Sequence, residues 1–220
     1  MRILIAIFSC ARDISNGFNQ AIRDTWARNA QGADIRFFVG RTAIPKRDDE
    51  ICLDAPDEWI TLPHKTKAIQ CWAVDHDYDF TYKCDTDTYV RVPRLLASGF
   101  EAYDYTGFFG PYELGNPCAL PGNHYASASG GAGYCLSRKA SRMVASAKVD
   151  DWSEDRWVGK ILGPKIRAGE IAVCNSTRYG GFDGISFATD ISCHYCSETK
   201  SRPFNVTWMY KQHKVNGVTV

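Results

Sequence analysis

The chain opens on residues 2–9, a continuous Ile/Leu/Phe run without alternation, which is the pattern of a strand buried on both faces. Ser15-Asn16 can cap a following helix, because Phe18, Ala21, Ile22 and Trp26 recur at i, i+3, i+4 and i+8. Residues 34–40 read as a second strand ended by Gly40, and the acidic, proline-bearing residues 45–58 as a surface loop. A helix over residues 65–77, with Ile69, Trp72 and Ala73 on one face, leads into residues 81–90, a third strand that ends in a short acidic turn. Strands joined through helices predict a mostly parallel sheet, whose ligands gather at the carboxyl ends of the strands.

The second half alternates differently. Residues 104–109 predict a short strand, and residues 110–124 a loop over the site with three Gly/Pro turns. From residue 125 small residues lead into a strand, then a helix with Ala140, Met143, Val144 and Ala147 on one face. Ser153 caps another helix, expected to stop at Gly163-Pro164, and residues 170–174 predict a last strand. The aromatic and glycine-rich remainder carries no clear period. Nothing in the pattern divides the 220 residues into two domains.

The third strand ends in Lys83-Cys84-Asp85-Thr86-Asp87, two carboxylates one residue apart. Residues i and i+2 of a strand share a face about 6.6 Å apart, so Asp85 and Asp87 can address one point. Two hard oxygen ligands at a strand end suit Mg²⁺ or Mn²⁺, the more so with a phosphate completing the coordination.

Composition narrows the class. Apolar content of 45% and charged content of 23% describe a globular chain, and a net charge of +1 offers no footprint for nucleic acid. The apolar start is too short and too β-branched for a signal peptide, and no stretch reaches the roughly 20 apolar residues of a membrane span. Of nine cysteines, Cys10, Cys71, Cys84, Cys135 and Cys174 lie in apolar runs as reduced core thiols, which points to a reducing, cytoplasmic setting. Cys193-His194-Tyr195-Cys196 is a single CxxC where a structural zinc needs two such pairs. Asn175-Ser176-Thr177 and Asn205-Val206-Thr207 match a glycosylation triplet that arises often by chance.

Five motifs in order resemble one family. Ala21-Ile22-Arg23-Asp24-Thr25-Trp26 looks like "(A)IRxTW", Phe37-Phe38-Val39-Gly40 like "FFxxG", and Lys83-Cys84-Asp85-Thr86-Asp87-Thr88-Tyr89-Val90 like "KxDDDxFV". Gly130-Gly131-Ala132-Gly133-Tyr134-Cys135-Leu136-Ser137 resembles "GxGYxLS", and Ser153-Glu154-Asp155-Arg156-Trp157-Val158-Gly159 resembles "EDVxxG". The series is similar to glycosyltransferase family 31, the β-1,3-galactosyltransferase and fringe group, over about residues 2–196. It departs from that pattern at Thr86, in place of the middle aspartate, and at Arg156, in place of valine.

The resemblance implies an α/β fold of GT-A (Rossmann-like) type, a mostly parallel sheet flanked by helices in a single domain. Residues 1–95 form its nucleotide-binding half and 96–220 its acceptor-side half. It further implies a metal-dependent, inverting transfer of a hexose or N-acetylhexosamine, galactose first, from a UDP-sugar to a sugar hydroxyl of a glycan through a β-1,3 bond. Mn²⁺ (or Mg²⁺) would be held by Asp85, Asp87 and a late histidine, His194 with His213 as the alternative. Asp155 would take the acceptor proton, with Glu154 as its substitute. Ser9, Arg12, Arg23, Asp85, Gly130 and Gly131 would hold the donor. Without the stem and anchor of Golgi members, the chain looks like a soluble microbial or viral form. The rival from another class is a non-catalytic sugar- or nucleotide-binding module on the same fold. A nucleotidyltransferase is disfavoured, because residues 9–17 lack a glycine- and lysine-rich phosphate loop.

Overall fold

A computed structural model describes residues 1–41, 44, 47–109, 127–179, 190–194 and 206–216. The expected loop over 110–124, Cys196, and the triplet at Asn205 lie outside the described residues.

Six consecutive buried residues make β1 (Ile3–Phe8) the centre of the sheet. Its side chains alternate between two cores, as a strand must. Ile3, Ile5 and Ile7 pack with Ala21, Ile22 and Trp26, while Leu4, Ala6 and Phe8 pack with Ile69 and Ala73. The first set belongs to α2 (Phe18–Asp24) and the turn after it, the second to α3 (Leu62–Asp75). Helices therefore cover both faces.

On one side β1 pairs in parallel with β2 (Asp34–Val39), which pairs in parallel with β3 (Glu50–Cys52). On the other side it pairs in parallel with β4 (Phe80–Asp85). The sheet continues antiparallel through β7 (Tyr134–Ser137) to β6 (Tyr105–Gly107), then in parallel to β8 (Val173–Asn175). The order is β3-β2-β1-β4-β7-β6-β8, with β7 alone running against the rest. Behind β6 and β7, Tyr134 and Leu136 share a third core with Ala140 and Val144 of α5 (Arg138–Ser146) and Trp157, Val158 and Leu162 of α6 (Glu154–Arg167). The described residues form one domain, and the mostly parallel α/β architecture is the expected one.

Four local expectations change. An additional helix, α1 (Ala11–Ser15), precedes the expected one, α2, whose cap is Gly17 at φ +80° in place of Ser15-Asn16. Only glycine takes that left-handed turn without strain. Residues 45–58 are not all loop, since β3 lies among them. The third strand, β4, does end in the acidic turn, at Thr86 and Asp87, but the chain then forms a further strand, β5 (Thr88–Val90). Helix α6 runs through Gly163-Pro164 to Arg167. Proline there costs about 3 kcal/mol, but Leu162 and Ile166 pack on the core from both sides of it and hold the turn.

Beyond the sheet, β5 pairs with β9 (Ser192–His194) in a separate antiparallel ribbon. The chain also forms α4 (Val92–Leu96) and, near its end, α7 (Thr207–Asn216).

Candidate functional site

Asp85 is the last residue of β4, in register with Phe8, the last of β1. After β1 the chain moves to β2 on one side, and β4 lies on the other. That topological switch opens a crevice at the carboxyl ends, where ligands of α/β sheets bind. The turn after Asp85 places Asp87 beside it, and the β5–β9 ribbon brings up the histidine. In that ribbon Thr88 faces His194, one residue from Asp87. One ligand atom from each of Asp85, Asp87 and His194 lies within 4.8 Å of the others. His213 is elsewhere, its Nδ1 2.9 Å from the Tyr89 hydroxyl.

Two details suit this group to a cation. Asp87 Oδ1 is buried and takes no hydrogen bond, although His194 Nε2 stands 3.2 Å away. A buried orphan oxygen is costly unless something else satisfies it. The donor set, two carboxylates and an imidazole, is one that divalent ions accept.

Directly behind the pair stands Lys83, 2% exposed, with Nζ 2.9 Å from Asp85 Oδ1 and 3.3 Å from Glu154 Oε2. Its ammonium also lies 4.2 Å from the centre of the Phe8 ring. Burial alone would discharge it, but Asp85, Glu154 and Asp155 together raise its pKa. Asp85 is lowered in turn: burial pushes it up, and Lys83 first, then His194, pull it further down. Asp87 is raised, because burial outweighs the neighbouring His194.

Glu154 and Asp155 open α6 and part company there. Glu154 is buried, accepting from Lys83 and from the Tyr134 hydroxyl. Asp155 is only partly buried and is pushed well above the ordinary carboxylate range, by desolvation first and by Glu154 next. A carboxyl held up in this way is the stronger base once ionised.

The turn before β7 joins the two halves of the cluster. A Cβ on Gly130 would collide with the carboxylates of Asp155 and Glu154, and one on Gly131 with the His194 ring. The turn itself is pinned by Thr88 Oγ1 donating to the Gly131 carbonyl and Ser192 Oγ donating to that of Ala132.

The structure thus gathers Asp85, Asp87, His194, Glu154, Asp155, Gly130 and Gly131. Ser9 and Arg12 sit at the same sheet end, beyond β1. Ser9 is buried and donates to Asn19 Oδ1 at 2.7 Å, while the Arg12 side chain is 72% exposed. Arg23 is committed within the fold, to Asp49 (2.6 Å) and Glu50 (2.8 Å) at the start of β3, with its guanidinium over Phe37.

Sequence reasoning missed Lys83 and Asp13. A lysine between Tyr82 and Cys84 in a buried strand was the available signal, since such a charge needs a partner. Asp13 explains Thr86: buried on α1, it accepts from Thr86 Oγ1 at 2.8 Å. An aspartate at position 86 would set two carboxylates against each other in a buried site. The expected thiols Cys10, Cys71, Cys84, Cys135 and Cys174 are all unpaired.

No protein-family model matches the chain. An Arabidopsis thaliana protein, "Probable beta-1,3-galactosyltransferase 13", is 32% identical over 104 residues, which takes in 37% of this chain and 30% of that protein. The chain therefore spans less than a third of this relative. Among solved structures, the galactosyltransferase LgtC in complex with donor and acceptor sugar analogues superposes with a TM-score of 0.57 at 11% identity, covering 96% of this chain and 95% of LgtC. A glycosyltransferase involved in glycosylation of the major capsid of PBCV-1 gives 0.58 at 12% identity, covering 98% of each. At such identities the likeness establishes architecture. The fold is GT-A. Among the described residues no helix is long and apolar enough to cross a membrane.

Proposed function

We propose that the chain is a metal-dependent, inverting glycosyltransferase of the family 31 type, moving a hexose or N-acetylhexosamine, galactose first, from a UDP-sugar to a sugar hydroxyl through a β-1,3 bond. The observation that carries this is the convergence of Asp85, Asp87 and His194 with Asp155 around the Gly130–Gly131 turn, at the switch point of the sheet. The partial likeness to a β-1,3-galactosyltransferase and the GT-A fold support the same reading.

In this reading Asp85, Asp87 and His194 hold Mn²⁺ or Mg²⁺. What such an ion supplies when bound is neutralisation of charge on the departing diphosphate. The chain's own residues do the rest. Asp155, ionised, takes the proton from the acceptor hydroxyl as its oxygen attacks the anomeric carbon, and the bond to UDP breaks on the opposite face. Lys83 and Tyr134 fix Glu154, so that Asp155 is the carboxyl left to face substrate. The missing side chains at Gly130 and Gly131 let the Asp155 and Glu154 carboxylates and the His194 ring close on the turn, instead of leaving room for the sugars there.

The test is a donor panel of UDP-galactose, UDP-N-acetylglucosamine and UDP-glucose, each with and without Mn²⁺, followed by UDP release and thermal shift. At least one donor is expected to stabilise the protein and turn over only with metal; a blank panel would refute the reading. Asp155→Asn is expected to keep UDP and Mn²⁺ binding while losing at least about 10²-fold in kcat. Wild-type kcat/KM should rise with pH along a limb displaced above the ordinary carboxylate range, as the raised Asp155 ionises. A limb at the ordinary carboxylate value would place the base elsewhere.

A further inference from the structure

Helices α3 and α6 both begin at the sheet end that carries the acidic cluster, and each is preceded by an exposed tryptophan. Trp59 is 69% and Trp152 47% exposed, and their rings lie 5.2 Å apart at 49°. Beside them a cavity of ≈ 590 Å³ is lined by Trp152 and Ile60, and by the charged Asp150, Asp151, Arg156 and Lys160. That volume is of the size small-molecule sites use. Both of its walls adjoin the site along the chain. His64, also in the lining, precedes Lys65, which reaches the Ser9 carbonyl at 2.7 Å, and Arg156 follows Asp155.

The chemistry of the lining selects among ligands. Its two acids and two bases cancel, and Arg156 already answers Asp151 through Nε at 2.9 Å, so the wall offers no net charge to a phosphate or a charged peptide. An indole face held out to solvent costs free energy unless an apolar surface covers it. A sugar ring meets both conditions, with a C–H face for the indole and hydroxyls for the polar rim. The Arg156 guanidinium lies over the Trp152 ring, 5.3 Å from its centre.

We propose that this cavity is a subsite for the acceptor glycan, in which a neutral sugar unit, beyond the one that receives the transferred sugar, stacks on the Trp152 indole backed by Trp59. The proposal rests on the transferase reading above and adds to it where the acceptor lies. Trp152 and Trp59 act as specificity residues and take no part in the chemistry.

The experiment compares wild type, Trp152→Ala, Trp59→Ala and Trp152→Phe on an array of neutral β-linked oligosaccharides, in UDP and Mn²⁺. Hydrolysis of the three panel donors without acceptor, and gel filtration, run in parallel. Wild type is expected to bind at least one glycan of two or more sugars. Trp152→Ala should weaken that binding about tenfold, Trp59→Ala less, and Trp152→Phe should recover part of it. Donor hydrolysis should stay level across the set, which also shows that each variant is folded. A blank array, or equal binding by wild type and Trp152→Ala, overturns the subsite even while a panel donor is hydrolysed. Hydrolysis of every panel donor absent from every protein, with glycan binding still dependent on Trp152, overturns the transferase reading and leaves the sugar site. A wild-type dimer that Trp59→Ala splits, without change in glycan binding, overturns the proposal in favour of self-association.

Discussion

Two lysines, each 2% exposed, approach the Phe8 ring from different elements and meet opposite surroundings. Lys65, from α3, faces one carboxylate, Asp57, and one carbonyl, that of Ser9. Asp57 spends its remaining capacity on the Gly40 and Ala11 backbone N–H groups, at 2.8 and 3.2 Å. The charges cancel and the partners are complete, so the group ties the ends of β1 and β2 to α1. Lys83, from β4, faces Asp85, Glu154 and Asp155, with Asp87 just beyond. Here negative charge is in excess and one buried oxygen, Asp87 Oδ1, takes no hydrogen bond. Balance marks a joint, and the imbalance is what the proposed cation would relieve. The same residue type at the same depth serves two ends, and its partners decide which.

The largest effect expected from this contrast is on stability. Lys65→Met leaves Asp57, whose side chain is 11% exposed, without its cation, and removing one partner of a buried pair costs at most about 3–5 kcal/mol. Urea unfolding measures it, and a loss below about 1 kcal/mol would mean that the joint is not where the stability resides. Next in size is the response to metal. At 100 times its Kd, Mn²⁺ should add about 2.7 kcal/mol to the unfolding free energy. Lys65→Met should show the same increment from its lower baseline, and Asp87→Asn should lose it. An increment that survives Asp87→Asn would move the cation to other ligands.

How much of this could be read from the chain depends on the range of the interaction. Buried strands announce themselves through runs such as Ile3-Leu4-Ile5, and α5 through Ala140 and Val144, because burial is set by residues close in sequence. The motif order named the acidic turn, Gly130, Gly131 and Asp155 before any geometry, and left His194 and His213 as alternatives. Edge strand β3 escaped because it is three residues long with a single branched apolar side chain, Ile51, and pairing with β2 alone defines it. The Lys83–Glu154 contact spans 71 positions and Thr86–Asp13 spans 73, so no local period reports them. Arg23 read as a donor contact because it sits in a motif, whereas its guanidinium is spent on Asp49 and Glu50, a choice made by the fold of β3 against α2.

The smallest effect tests charge balance where water can reach it. Asp151 accepts from Arg156 through Nε and Nη2 and from the Ser153 N–H, just ahead of α6. The Arg156 hydrogen bond is the main reason that its carboxyl is lowered to about 2 from 3.8. A depressed carboxylate stabilises the fold in full above its unfolded value of 3.8 and loses that contribution as pH falls toward about 2. Asp151 is 5% exposed but Arg156 is 40%, so solvent screens the pair and the gain sits near the top of the exposed range, about 1 kcal/mol. Asp151→Asn should therefore unfold about 1 kcal/mol more easily at pH 7, with the gap closing in urea titrations near pH 2. A gap that stays constant with pH would assign the loss to the packing ahead of α6, and the rim would then owe nothing to the balance that distinguishes Lys65 from Lys83.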